Sequence, residues 1–553
     1  MALSTAAAAT GQQRRIIVQE RRPMSGFQSE IAGDQSTTEP RILVVTPEAS
    51  FLPEGMGSVS RLVAARTGTL ADLSAGLIGA LDDLGVDVHV AIPNYRDIFR
   101  NRSAQGFGQG PIPRIGPLAA ERVHLAQDRA FFYPTKLTPH PGEDAVKIAL
   151  AFQREVINQI IPEVKPDLVH CHDWMTGLIP AMTRQMGIPC LYTLPNLNTA
   201  QVTLSAIEER GIDAASFWQH CYFSRMPAGY EETRNSNPVD MLLSAIFAAH
   251  FVNATSPSFL AEVIEGRAPF AGHTIQVELA NKARAGCLAA VSHAPDPSFD
   301  PSRDGALYRR YRSEDHFITK AFNKLHLQEI LGLTPDSKAP LFFWPTRLDS
   351  ARPGVALMAG VLSSILEKYK SQGLQVVFVA DGDGQALMRQ IVSDRGAQSR
   401  VAVRDFDPKL YRLGYGAADF VLAPVLVEPC GLACRIGQRY GALPVGYDTG
   451  GIHDAVTHLA PSAGKGNGFL FRFFDAQGLT WAVDQAMAFF GFGPAARDRQ
   501  VRRVMTQTVD RDDAYKTAFQ YIDLYSRMLR RPLNHLKSSR CVAEETGAQM
   551  AAA

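Results

Sequence analysis

One stretch, residues 418–456, narrows the folding options more than any other: ADFVLAPVLVEPCGLACRIGQRYGALPVGYDTGGIHDAV. Residues 418–426 form a short apolar run of the kind that fits a buried parallel strand. Glu428-Pro429-Cys430-Gly431-Leu432 then turns the chain, and residues 433–440 suit a helix that Gly441 and Pro444 stop. Residues 443–447 make a second strand, and Thr449-Gly450-Gly451 opens the next helix. Two helix starts are thereby set near one another at the carboxyl edge of one sheet. Free amides and the positive dipole end make each a ready anion site. With the carboxylate of Glu428 at the first turn, the layout suits transfer of a group that leaves a phosphate behind. An ordinary strand–helix crossover whose glycines only cap helices has the same spacing, and spacing alone does not separate the two.

The rest of the chain adds bounds. At 553 residues it exceeds one core and calls for two domains. A net charge of +1 supplies no basic field for nucleic acid or anionic lipid. No apolar run approaches the ~18 residues that span a membrane. Seven cysteines without Cys-x-x-Cys spacing argue for a reducing compartment and no structural zinc. Residues 1–39 are rich in Ala, Ser, Thr and Gln, lack periodicity and read as a disordered tail. Residues 1–19 hold no acidic residue and include Arg14-Arg15, so an organellar transit peptide stays open beside the preferred cytoplasmic extension.

In chain order, strands are expected at 41–46, 86–93, 166–172, 188–194, 251–256, 341–345, 376–380 and 401–405, and helices at 145–161, 238–250, 479–489 and 514–530. Residues 101–116 are expected as a loop. Thr67-Gly68-Thr69-Leu70-Ala71-Asp72 and Thr449-Gly450-Gly451-Ile452-His453-Asp454 share a Thr-Gly-x-aliphatic-x-Asp pattern at loop-to-helix junctions, where an early Asp favours the helix dipole. His170, Cys171, His172 and Asp173 tempt a metal assignment, but no further ligand pair accompanies them, and a plain strand end is the preferred reading. Asp381-Gly382-Asp383-Gly384 reads as a polar glycine turn after a strand.

Glu428-Pro429-Cys430-Gly431-Leu432, Tyr440-Gly441 and Thr449-Gly450-Gly451, with Asp173-Trp174-Met175-Thr176-Gly177 and Thr346-Arg347-Leu348, resemble bacterial glycogen synthase and plant starch synthase. The resemblance runs in order from about residue 41 to about residue 490. It implies an α/β fold of the GT-B type: two facing Rossmann-like domains with parallel sheets and a cleft between them. The expected division is a tail (1–39), an amino-terminal domain (40–295), a linker region (296–338), a nucleotide-sugar domain (339–505), a helix returning to the first domain (506–535) and a second tail (536–553).

By this resemblance, Arg347 and Arg352 hold the donor's terminal phosphate, with Arg66, Thr67, Gly68, Gly450 and Gly451 beside the diphosphate. Glu428, with Cys430, Gly431 and Leu432, meets the sugar hydroxyls, Phe406 stacks on the nucleobase, Asp173 lines the acceptor side, and Asn196 and Thr449 complete the set. The implied reaction is retaining transfer of glucose from a nucleotide-glucose, ADP-glucose foremost, to the non-reducing end of an α-1,4-glucan. No metal or resident cofactor is implied. The chain departs from the family at several positions: Arg66 for Lys, Thr69 for Gly, Pro195 for His, Ser292 for Asn, Arg352 for Lys, and Val425-Leu426 for Ser-Arg. These departures keep two other readings open, a glucan-binding or regulatory descendant with little catalysis, and a related enzyme with another acceptor.

Overall fold

The computed structural model describes residues 39–48, 69–96, 120–134 and 141–533. Arg66, Thr67 and Gly68, the expected loop 101–116, and all but Glu39 of the tails 1–39 and 536–553 lie outside the described residues.

The chain builds two wholly parallel sheets. The first is made of β1 (Arg41–Val45), β2 (Asp87–Pro93), β3 (Val123–Ala126), β4 (Leu168–His172) and β5 (Cys190–Leu194). After a small antiparallel pair, β6 (Gln201–Val202) with β7 (Val239–Asp240), it is completed by β8 (Phe251–Ala254) and β9 (Leu288–Ala290). Its spatial order is β3-β2-β1-β4-β5-β8-β9. The second sheet contains β10 (Leu341–Trp344), β11 (Gln375–Val379), β12 (Val401–Arg404), β13 (Phe420–Ala423), β14 (Leu443–Tyr447) and β15 (Phe469–Phe471), in the order β12-β11-β10-β13-β14-β15. Strands such as LFFW and QVVFV are buried along their whole length, as expected where helices cover both faces.

In each sheet the strand order reverses beside the first strand, between β1 and β4 and between β10 and β13. A crevice outside the carboxyl ends forms at such a switch point, and ligands of open α/β sheets bind there. Asp173 follows β4, Arg347 follows β10 and Glu428 follows β13, so the topology delivers these side chains to the two crevices.

Strands β3, β9 and β15 go beyond the sequence expectation, and three further segments depart from it. The strand expected at 418–426 ends at Ala423, because Pro424 has no amide to continue the ladder. The helix expected at 238–250 starts at Met241, where the Asp240 side chain accepts from the Leu243 amide (2.8 Å) and caps it. Within 296–338, expected as linker, helix His316–Leu331 packs on the second sheet: Leu327 and Leu331 are buried among Leu341, Phe343 and Val377, and Lys324 donates to Asp419 at 2.6 Å.

Helix Ala514–Leu529 returns to the first sheet's core, where Tyr521 and Tyr525 are fully buried. Each such side chain stabilises the fold by roughly 1.5–3 kcal/mol. Among the described residues no helix is long and apolar enough to cross a membrane.

Candidate active site

On the second sheet, the loop after β10 is pinned by backbone hydrogen bonds from the Leu348 amide to the Asp381 carbonyl (2.9 Å) and from the Gly384 amide to the Leu348 carbonyl (2.7 Å). This loop carries both arginines singled out from sequence, and they converge on one side chain. Arg347 grips Asp349 through Nε and Nη2 (3.0 Å each), and Arg352 Nε forms an ion pair with the same carboxylate at 3.2 Å. Asp349 is only 6% exposed, so its charge needs these partners. It fixes the direction of two long side chains that would otherwise sample many rotamers. Arg352 precedes helix Pro353–Lys368, with proline at the first helical position. Gly354 lets that helix lie on the β13 loop, since a Cβ there would stand 2.0 Å from the Pro424 carbonyl oxygen.

The β13 loop leads to Glu428, whose Oε1 accepts from the amides of Cys430 (3.2 Å) and Gly431 (2.9 Å). Burial pushes the Glu428 carboxyl above its ordinary value, while those two amides and then the nearby Arg352 pull it back down. Glu428 and Arg352 therefore share one electrostatic neighbourhood. Gly431 adopts φ 71°, left-handed backbone that a side chain resists, and opens helix Leu432–Arg439. Leu432 and Ala433 form the first turn of that helix, and their amides have no hydrogen-bond partner among the described residues.

Thr449, Gly450 and Gly451 correct the sequence reading of two open anion sites. The Gly450 amide and the Thr449 hydroxyl donate to the two oxygens of Glu262 (2.8 and 2.9 Å), and the Gly451 amide donates to the Glu428 carbonyl at 2.6 Å. A protein carboxylate thus fills this helix start. Asp454, read from sequence as an early helix residue, lies in the last turn of the six-residue helix Gly450–Ala455. It accepts from both the amide (3.3 Å) and the hydroxyl (2.6 Å) of Ser258 and from the Ser256 hydroxyl, all on the first domain.

On the first sheet, Asp173 follows β4 with φ 71°, a strained setting for a residue with a side chain. Its carboxylate accepts from the Met175 amide (3.2 Å) and from Asn196 Nδ2 (2.8 Å), while Asn196 Oδ1 accepts from the Asn198 amide (2.8 Å). Asn196 therefore both closes its own turn and holds Asp173. Burial raises the Asp173 carboxyl to about 6 against the lowering pull of these hydrogen bonds. Pro195 stands half-buried beside them.

His170 and His172 face a hydrogen-bonded network: His170 bonds Tyr525 (2.8 Å) and Thr193 (2.7 Å), His172 bonds His170 (3.1 Å) and Ser74 (3.1 Å), and Tyr521 bonds His293 (3.1 Å). Burial drives all three histidines down, His172 to about 3 and His293 to about 4. Asp381 and Asp383 serve turns, accepting from the Phe406 amide (3.1 Å) and the Ser350 amide (2.6 Å) respectively. Phe406 lies half-buried at the end of β12, its ring tilted 5.4 Å from Tyr411.

The carboxyl edges of the two sheets meet here. The Thr255 hydroxyl, just past β8, donates to the Pro429 carbonyl (2.8 Å), beside the Glu262 and Asp454 contacts. The structure thus gathers Glu428, Arg347, Arg352, Cys430, Gly431 and Leu432 on one side, and pairs Asp173 with Asn196 on the other. Asp349 and Glu262 escaped notice in the sequence. Asp349 carried one signal, an acid two positions from one arginine and three from the other.

Residues 41–276 match the starch synthase catalytic domain family. The chain is 30% identical over 496 residues to a glycogen synthase of Syntrophotalea carbinolica, covering 84% of this chain and 96% of that one. It is 28% identical over 495 residues to a glycogen synthase of Rhodospirillum rubrum, with 84% and 96% covered. Among solved structures, the catalytic domain of starch synthase IV from Arabidopsis thaliana, bound to ADP and acarbose, superposes with a TM-score of 0.71 at 22% identity, over 89% of this chain and all of that one. Sucrose-phosphate synthase from Thermosynechococcus elongatus shares the fold at a TM-score of 0.54 and 16% identity, over 89% and 99%.

Proposed function

The chain belongs to the glycogen synthase and starch synthase family of glucosyltransferases, and from that premise we propose that it carries glucose from ADP-glucose to the non-reducing end of an α-1,4-glucan, with retention of configuration. The observation that carries this reading is the pair of arginines aimed by one buried aspartate, with Glu428 in the field of Arg352 at a switch point of the second sheet. Leaving of the nucleotide diphosphate concentrates negative charge, and two guanidiniums with the amides of Leu432 and Ala433 stabilise it more as it grows. Arg352 does this work where a lysine stands in the family, with a flat fork in place of a point charge. Glu428, held by the amides of Cys430 and Gly431, keeps its second oxygen for a sugar hydroxyl and for the positive charge that builds on the ring. Phe406 offers a face to the base without a phenolic hydroxyl.

Asp173 and Asn196 line the acceptor side, and the contact between the two sheet edges excludes water that would hydrolyse the donor. ADP in the Arabidopsis starch synthase structure supports the adenine nucleotide. The reading includes no resident metal or cofactor and a cytoplasmic location. The test is incubation of purified protein with ADP-glucose or UDP-glucose and glycogen. Chain elongation that Glu428→Ala abolishes is expected. Glycogen binding without nucleotide release would instead identify a binding protein, and a non-glucan product another acceptor.

A further inference from the structure

We infer that Glu262 and Asp454 are positioning residues for the transfer, locking the Glu428 turn of the second domain onto the first by capping each other's helices. This rests on the transfer reading above. Glu262 belongs to helix Pro257–Ile264, which follows β8 of the first sheet, yet its carboxylate receives the Gly450 amide and the Thr449 hydroxyl of the second domain. Asp454 belongs to helix Gly450–Ala455, yet its carboxylate receives the Ser258 amide and the hydroxyls of Ser256 and Ser258, at the start of the first domain's helix. Each helix thus has its amino-terminal end met by the other's carboxylate, a charge-assisted arrangement that also suits both dipoles. The Glu262 side chain is 12% exposed, and among the described residues Arg267, at 3.9 Å, is its nearest cation, so these hydrogen bonds are what hold the carboxylate in place.

The lock reaches the catalytic turn through backbone alone. The Gly451 amide donates to the Glu428 carbonyl (2.6 Å). A Cβ on Gly450 would stand 2.3 Å from the Glu428 carbonyl oxygen, and one on Gly431 2.2 Å from the Gly451 carbonyl oxygen. With no side chain between them to give way, movement of residues 449–451 must carry residues 428–431 with it. Glu262 and Asp454 therefore set where Glu428 stands relative to Asp173 and the acceptor side, while the arginine pair, tied to Asp349 on another loop, is left as it was.

The test uses the full chain and its Glu262→Ala, Glu262→Gln and Asp454→Asn variants, with three measurements: kcat and donor KM for glucose transfer to glycogen, ADP affinity by calorimetry, and amide hydrogen exchange over residues 447–456. Glu262→Ala is expected to lower kcat about tenfold or more, since small misplacement of a reacting group is that damaging. ADP affinity should fall much less than kcat, because Arg347 and Arg352 stay on Asp349 and only the Leu432 and Ala433 amides move with the turn, while exchange at 447–456 accelerates. Glu262→Gln, which keeps the shape, should recover much of both. Unchanged kcat, unchanged exchange, or ADP affinity falling in step with kcat would overturn the inference. Faster transfer would also overturn it, because Glu262 would then be blocking a phosphate seat. Should Glu262→Ala not fold, Glu262→Gln and Asp454→Asn decide by the same criteria. A wild-type chain that transfers no glucose refutes the proposed function, and exchange at 447–456 then decides the lock alone.

Discussion

Acidifying the protein from pH 7 to pH 5 is expected to weaken the fold through the buried histidines beneath Asp173. His172 and His293 stay neutral in the folded chain down to about 3 and about 4, whereas an unfolded histidine takes up its proton near 6.5. Below pH 6.5 the unfolded chain therefore binds more protons, so stability falls as pH falls and keeps falling until the folded values are reached. At pH 5 each histidine accounts for about 2 kcal/mol, or about 4 kcal/mol together. Asp173 acts in the opposite sense: its carboxyl titrates near about 6 in the fold, so the folded chain gains the proton first and recovers about 1.4 kcal/mol by pH 5. The three groups leave a net loss of about 2.5 kcal/mol, and His170, also driven down by burial, adds to it.

Urea unfolding of the full chain at pH 7, 6 and 5 measures this dependence. His172→Asn lowers stability at every pH by breaking bonds to His170 and Ser74, but the difference between pH 7 and pH 5 should shrink by about 2 kcal/mol. A variant that keeps the wild-type dependence on pH would refute the assignment of His172 as a neutral, buried group.

Asp349→Ala should raise the donor KM about tenfold, because Arg347 and Arg352 would each require ~0.5–1.5 kcal/mol of ordering on binding; an unchanged KM in steady-state kinetics would show that Asp349 only screens charge. Gly451→Ala should destabilise the fold by about 1–3 kcal/mol and depress transfer, since its Cβ would lie 2.1 Å from the Cys430 carbonyl carbon; thermal melting together with the glycogen assay checks both.

Most strands of both sheets are legible in the sequence because each is a short apolar run bounded by turn residues, and burial on both faces leaves no other use for such runs; β3, β9 and β15, only three or four residues long, are too short to leave such a run. The motifs carrying Arg347, Arg352 and Glu428 are legible for a related reason: each sits directly after a strand, where the topology must deliver it to a crevice. What the sequence hides is the partner of each charged group. Glu262 and Thr449 are 187 positions apart, and nothing local in either segment announces their contact. Asp454 is misread because the helix it was expected to open is only six residues long, which leaves it near the far end. The tyrosines of helix Ala514–Leu529 show the same limit, since their helical spacing marks them as core without saying whose.

That helix has a bearing on how the protein is made. Tyr525 and Tyr521 supply hydrogen-bond partners to His170, His293 and Asn253, buried groups on the first sheet that are synthesised some two hundred or more residues earlier. A nascent chain on the ribosome has to carry each of those groups short of its tyrosine partner while the whole second sheet emerges. The first half to be translated is thus the last to be sealed, and a truncation just short of residue 514 would strip the amino-terminal sheet rather than the segment it cuts.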